Sequence, residues 1–302
     1  MIAGTDAIAI AIADGIAARI SPQGAELLSL RGPDGTEFLW QAGPAWPRHA
    51  PVLFPIVGRL DHDTLLVDGQ QYRMTQHGFA RDRRFTLGEQ DDKSCTLVLE
   101  DDEATRAQYP FAFRLALEYE VEGNTLHQSF HVTNTGETML PASFGAHPGF
   151  IWPLRPDVPK QAHKIVFEHP ELGKLRRLEG GLTLPDMVDS PIEGDTLKLS
   201  ETLFDHDALV LPLPASRSLT YTADRPGMPA ITIAWWDMPW LGIWSKPATV
   251  PGADFLCIEP WQGLASPKGF DFPFEDKPGL LRIPPGETRS GGTSITISSN
   301  PD

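Results

Sequence analysis

Apolar and polar residues alternate with a period of two along most of this chain, and that period predicts strands. Phe113–Val121 is the clearest case, with Phe113, Leu115, Leu117, Tyr119 and Val121 on one face and Arg114, Glu118 and Glu120 on the other. Gly123-Asn124 turns the chain, and the return strand carries Leu126, Phe130 and Val132 on its apolar face. His127 and His131 are left to face solvent or a cross-strand partner. Near the N-terminus, Ala7–Ala13 and Gly15–Ile20 flank Asp14-Gly15, and Leu65–Val67 and Gln71–Met74 flank Asp68-Gly69, both hairpin signals. Ala25–Leu30, Glu37–Trp40, Phe85–Gly88 and Ser94–Glu100 add further strands. Later come Lys164–Glu168, Thr196–Leu199, Ala208–Leu211, Ser218–Thr222, Ala230–Trp236, Leu241–Trp244, Phe255–Glu259 and Thr293–Ser298. Pro44, Pro47 and Pro51 make Pro44–Phe54 an extended, ordered loop. Asp101–Gln108 is the best helix candidate and spans barely two turns. Short strands without strand-helix alternation predict an all-β fold, a large antiparallel sandwich or barrel. Nothing resembles a linker, so one domain over residues 1–302 is expected.

Composition narrows the class of partner. Forty acidic residues against 25 basic give a net charge of -15, which repels nucleic acid and anionic membrane surfaces. No window approaches the 18 or so unbroken apolar residues of a membrane span. No basic residue precedes Arg19, and the alternating Ile-Ala stretch is unlike a secretory signal. Cys95 and Cys257, far apart in strand-like surroundings, read as two buried thiols of a reducing compartment. A cytoplasmic location is therefore expected.

Four stretches have a different texture. In Ser143–Trp152, reading SFGAHPGFIW, His147 sits between Gly-Ala and Pro-Gly, with three aromatics within five positions. Pro51–Leu60 ends an apolar run with Gly58-Arg59, where the guanidinium either pairs with a carboxylate or meets a substrate. His77–Arg81, reading HGFAR, would put His77, Phe79 and Arg81 on one face if extended. Phe255–Gly263, reading FLCIEPWQG, closes an apolar strand with Glu259, after which Pro260 is expected to stop the ladder and Trp261 follows. Desolvation of a carboxyl there would raise its pKa toward base strength at neutral pH. A His and a Glu at strand ends beside aromatics are suited to general acid-base chemistry, worth roughly 10² to 10⁴ in rate for each proton transfer. The aromatics Trp261, Phe79 and Phe150 suggest a sugar, whose apolar faces stack on rings.

Other chemistries lack their signals: there is no Gly-x-Gly-x-x-Gly after a strand, no Walker loop and no Gly-x-Ser-x-Gly elbow. The triplets Asp61–Asp63 and Asp205–Asp207 have i, i+2 spacing that could ligate a metal, though Asp61–Asp63 reads better as a solvated turn. On ligand types alone, His77, His147 and Glu259 also make a two-His-one-carboxylate set.

Taken together, PVLFPIVGRL, HGFAR, FGAHPGF, FDHDALVL and IEPWQGLA, with SPQGAELLSL and EFLW before them, resemble the aldose 1-epimerase (mutarotase) family, specifically its LacX-like branch. The resemblance covers nearly the whole chain. It implies a galactose-mutarotase-like β-supersandwich and a monosaccharide substrate, with no metal or organic cofactor. It implies His147 as the general acid at the ring oxygen and Glu259 as the general base at the anomeric hydroxyl. His77 and Arg59 would bind the sugar, together with an aspartate that is either Asp205 or Asp207, with Asp207 fitting the branch better. Galactose preference is not implied, because Pro148-Gly149-Phe150 follows His147 where galactose mutarotases have a Ser-Tyr-Phe type sequence. Arg59 and Arg81 together would also suit a hexose 6-phosphate, and a non-catalytic sugar-binding protein is a further alternative on the same fold. The oligomeric state is left open.

Overall fold

The period-two pattern builds two large antiparallel sheets in the computed structural model, which describes residues 6–299. The larger sheet has nine strands, in the spatial order Thr196–Lys198, His163–Phe167, Ser218–Ala223, Pro229–Trp236, Thr288–Ser299, Thr125–Asn134, Phe113–Glu122, Ser94–Glu100, Thr86–Gln90. Its inward residues are those the alternation selects. Leu115, Leu117, Tyr119 and Val121 join Leu126, Phe130, Val132, Ile231, Ile233, Ile295 and Ile297 in one apolar core.

The second sheet has eight strands. Seven follow the order Leu182–Val188, Leu175–Glu179, Leu209–Pro212, Trp240–Trp244, Phe255–Gln262, Phe144–Ala146, Val52–Leu53, and Gly149–Ile151 pairs separately with Phe255–Gln262. Leu256, Ile258, Leu241, Ile243, Leu209, Leu211, Phe144, Phe150 and Val52 face the same core. Across the interface Phe130 of one sheet stacks on Phe144 of the other, centroids 5.3 Å apart. The opposite face of the eight-stranded sheet is also covered, by two small clusters around Trp261 and around Phe255 and Cys257. Burial on both faces explains why Phe255–Gln262 reads as an unbroken apolar run rather than an alternation.

Several expectations change in detail. The helix shrinks to Glu103–Arg106, one turn capped reciprocally by Asp102 and Thr105. Glu37–Trp40 forms only isolated bridges, from Glu37 to Arg31 and from Leu39 to Phe150. Asp61–Asp63 is a 3-10 turn with exposed His62, but Asp61 accepts a hydrogen bond from the Gly269 amide and Asp63 binds Arg59, so only the centre of the triplet is solvated. Cys95 and Cys257 are buried and free. The hairpin Leu175–Glu179/Leu182–Val188 was not expected, although Gly180-Gly181 is turn chemistry. No helix among the described residues is long and apolar enough to cross a membrane.

Candidate active site

Register places the site. Gly145 pairs with Trp261 and Gly149 with Cys257 on the two sides of His147-Pro148, in one unbroken register. His147 therefore stands directly opposite Glu259. Pro260 does not stop the ladder as expected: Phe255–Gln262 runs through it, with Leu241 paired to Pro260 on the other side. In the same register Pro260 stands opposite Ala146, the last residue of Phe144–Ala146, so its missing N–H falls where that pairing ends, and beyond it the Ile258 amide donates to the Pro148 carbonyl.

On Glu259's other flank lies Gly242, whose neighbours along the strand are Trp240 and Trp244. A Cβ on Gly242 would sit 2.4 Å from the Trp261 ring, and one on Gly145 would sit 2.7 Å from it. Trp261 thus lies flat across two bare positions, one strand on each side. Together these rows floor a cleft of about 520 Å³.

His147 Nε2 stands 3.2 Å from Glu259 Oε2, with both residues more than nine-tenths buried. Burial draws the His147 imidazole down to about 3, with Arg81 adding to the shift. Burial, reinforced by the Asp207 carboxylate, pushes the Glu259 carboxyl well above its ordinary range. Both shifts favour uncharged partners. A neutral carboxyl beside a neutral imidazole holds as many protons as a carboxylate beside an imidazolium, so a proton can cross the contact with no change in net charge.

His77 lies edge-on to His147, with ring centroids 5.4 Å apart. The Gly58 amide donates to His77 Nδ1 at 3.1 Å, which leaves Nε2–H as the free donor of the neutral ring. Burial, His147 and Arg81 hold His77 well below its usual range. Its φ of +66° is unusual for a residue other than glycine and marks a backbone held by its surroundings.

The cleft brings together His147, Glu259, His77, Asp207, Trp261 and Arg81, and Asp205 lines it as well. Asp207 is half-buried and close enough to raise Glu259, whereas Asp205 is exposed. Three candidates stand elsewhere. Arg59 does not line the cleft: its Nε and Nη2 bind the two Asp63 oxygens at 2.7 and 3.1 Å, the ion-pair alternative for this residue. Phe79 is a core residue packed against Phe54 and Phe113, because HGFAR is not extended. Left-handed His77 and Gly78, followed by a 3-10 turn at Ala80–Asp82, send Phe79 inward and Arg81 to the cleft. Phe150 likewise belongs to the core, on the opposite face of the sheet from Glu259.

Among the lining residues that lie outside the sequence motifs are Trp46, Gln76, Trp244 and Lys246. Trp46 comes from the proline-rich loop and Trp244 from the strand beside Cys257. The unanticipated hairpin supplies Leu178, Gly181 and Thr183. A metal would find donors in His147, Cys257 and Glu259, whose ligand atoms lie within 4.8 Å of one another. Burial and Glu259 push the Cys257 thiol well up, so a metal would have to displace its proton.

The aldose 1-epimerase family model matches residues 6–269. Protein LacX (plasmid) from Lactococcus lactis subsp. lactis is 32% identical over 284 residues, which is 91% of this chain and 94% of that protein. A galactose mutarotase related enzyme from Lactobacillus acidophilus superposes with a TM-score of 0.89 at 32% identity, covering 98% of both chains. A galactose mutarotase-like protein from Lactobacillus casei superposes with a TM-score of 0.89 at 29% identity, covering 97% of this chain and 100% of that one. The chain belongs to the aldose 1-epimerase family, has LacX homologues, and carries the galactose-mutarotase-like β-sandwich fold.

Proposed function

We propose that this chain, folded as one domain, is an aldose 1-epimerase that interconverts the α and β anomers of an aldohexose without a metal or organic cofactor. The observation that carries the reading is the buried His147–Glu259 pair on the floor of a cleft beside the Trp261 indole. In its ion-pair form, Glu259 takes the proton from the anomeric hydroxyl while His147 protonates the ring oxygen, and the C1–O5 bond breaks. The open aldehyde then faces a neutral carboxyl and a neutral imidazole, the forms that burial favours. Rotation about C1–C2 presents the other face of the aldehyde. His147 next takes the proton of the O5 hydroxyl as it attacks C1, and Glu259 returns a proton to the carbonyl oxygen. Both residues end as they began.

His77 Nε2–H and Asp207 would hold hydroxyls, and the Trp261 face would receive the sugar's apolar side. Polarimetry on freshly dissolved α-glucose and α-galactose is the test: acceleration is expected, and no acceleration with any common aldose sinks the reading. A phosphorylated aldose is a second reading, since Arg81 and Lys246 both line the cleft. The pairing of Arg59 with Asp63 removes one of the cations it would need. Comparing glucose with glucose 6-phosphate decides between them.

A further inference from the structure

His147 lacks the support that usually fixes an acid-base histidine. Its Nε2 meets Glu259, but its Nδ1 is buried with no hydrogen-bond partner, whereas such rings are normally oriented through the second nitrogen. What the ring has instead is an aromatic surface. Trp46 stacks on it with centroids 5.1 Å apart and planes 25° apart, while Trp244 and His77 meet it edge-on at 5.9 and 5.4 Å.

Trp46 reaches that position through a gap. It lies over Gly149, where an added Cβ would sit 2.6 Å from the indole, and it also stacks on Phe255 at 5.1 Å. Any side chain at position 149 would lift it off the imidazole. The loop that carries Trp46 is fastened at several points. The Trp40 indole donates to the Trp46 carbonyl at 2.8 Å, the Gly149 amide to the His49 carbonyl at 2.9 Å, and the amides of His49 and Ala50 to the half-buried Glu26 carboxylate at 2.7 and 3.1 Å.

We infer that Trp46 is a positioning residue for the reaction: its indole face, seated over Gly149, holds the His147 ring in line with Glu259 and the sugar in place of the absent hydrogen bond at Nδ1. The inference rests on His147 being the acid of the proposed mutarotase. The indole also keeps water from the ring, which disfavours the imidazolium more than the attraction of its face for a cation favours it, in a pocket whose other charged or titratable groups are Glu259, His77, Arg81, Lys246, Asp205 and Asp207.

Trp46→Ala and Trp46→Phe test it by steady-state mutarotation and by NMR of protein labelled at histidine. Trp46→Ala is expected to lower kcat on the order of 10²-fold, the cost of a misplaced catalytic group, with KM changed by less than about threefold. Trp46→Phe, which keeps a flat ring, is expected to restore most of kcat. In the wild type the His147 ring signals should be shifted by the indole and correspond to one neutral tautomer. In Trp46→Ala the shift should vanish, and the ring should titrate nearer the ordinary value of about 6.5 as water reaches it. The inference is overturned if Trp46→Ala keeps wild-type kcat, if Trp46→Phe is as impaired as Trp46→Ala, or if the His147 signals are the same in all three proteins. If the wild-type protein opens no aldose, the mutarotase reading falls, and the NMR comparison still decides whether Trp46 holds the ring.

Discussion

Glu259 is held where a carboxylate is costly, and that cost is the handle on its role. Its folded pKa lies above the unfolded value, chiefly through burial, so its contribution to stability is fully present below about pH 4.5 and lost as pH rises. At neutral pH the group therefore works against folding. Glu259→Gln keeps the shape and needs no proton. It is expected to cut kcat by at least about 10²-fold and yet to raise the melting temperature at pH 7.5, by about 2–4 °C for each kcal/mol relieved. Calorimetry at pH 7.5 and pH 4.5 checks this, with the gain confined to the higher pH. A lower melting temperature at pH 7.5 would mean that the folded protein holds the ionised carboxylate.

Single elements carry the geometry that lets such residues meet. Two features of the eight-stranded sheet make the site: Pro260, which lacks an N–H inside an unbroken strand, and the interruption at His147-Pro148 beside it, which leaves the register unshifted. The loop bearing Trp46 is a second such element, and Glu26 is its anchor. Burial works against the Glu26 carboxylate, but the hydrogen bonds and charge it gains from His49, with the Ala50 amide, hold it below its usual range. Both amides donate to the same Glu26 oxygen, so Glu26→Gln can keep both contacts through its carbonyl but loses the charge that strengthens them. It is expected to destabilise the protein by about 1–3 kcal/mol and to lower kcat in the same direction as Trp46→Ala. Urea unfolding and mutarotation kinetics measure both, and a full kcat would show the loop to be held adequately without Glu26.

At this scale the limits of the sequence are also visible. Alternation identifies the strands of the nine-stranded sheet because one face is exposed, as Phe113–Glu122 shows. It says less about Phe255–Gln262, which is buried on both faces and so has no period to read. His147 and Glu259 were legible because each interrupts an apolar run, where a titratable group must have a use or a partner. Trp46 was not: a tryptophan in a proline-rich loop gains meaning only when Gly149, about a hundred residues later, is seen to leave room for it. Phe79 misled for the converse reason, since local spacing did not show the left-handed turn at His77-Gly78, and of the two readings open for Arg59 the pairing with a carboxylate is the one met, at Asp63.

For the molecule as a whole, titration of buried groups sets the pH range in which the fold is most stable. Burial lowers His77, His147 and His163 below the unfolded value of about 6.5, so their contribution is fully present above that pH and is lost as pH falls. Glu259 opposes this between about pH 4.5 and 6.5, because there the folded state holds a proton that the unfolded chain releases. Lys277 acts at the other end. It is buried with carbonyl partners on Leu264 and Pro278, and burial draws it down to about 7. Its contribution is fully present above about pH 10.4 and shrinks as pH falls toward its folded value. The lowered carboxylates Glu26, Asp63 and Asp102 add a further loss only below about pH 4.5. The expected profile therefore declines from pH 6.5 to 4.5, ahead of ordinary acid unfolding, with a slope of about 1.4 kcal/mol per pH unit for each net proton taken up on unfolding. Glu259→Gln removes that opposing group, so its decline over the same interval should be steeper than that of the wild type. Chemical denaturation at half-unit pH steps resolves the two slopes, and equal slopes would show that Glu259 holds no proton in the folded protein across that range.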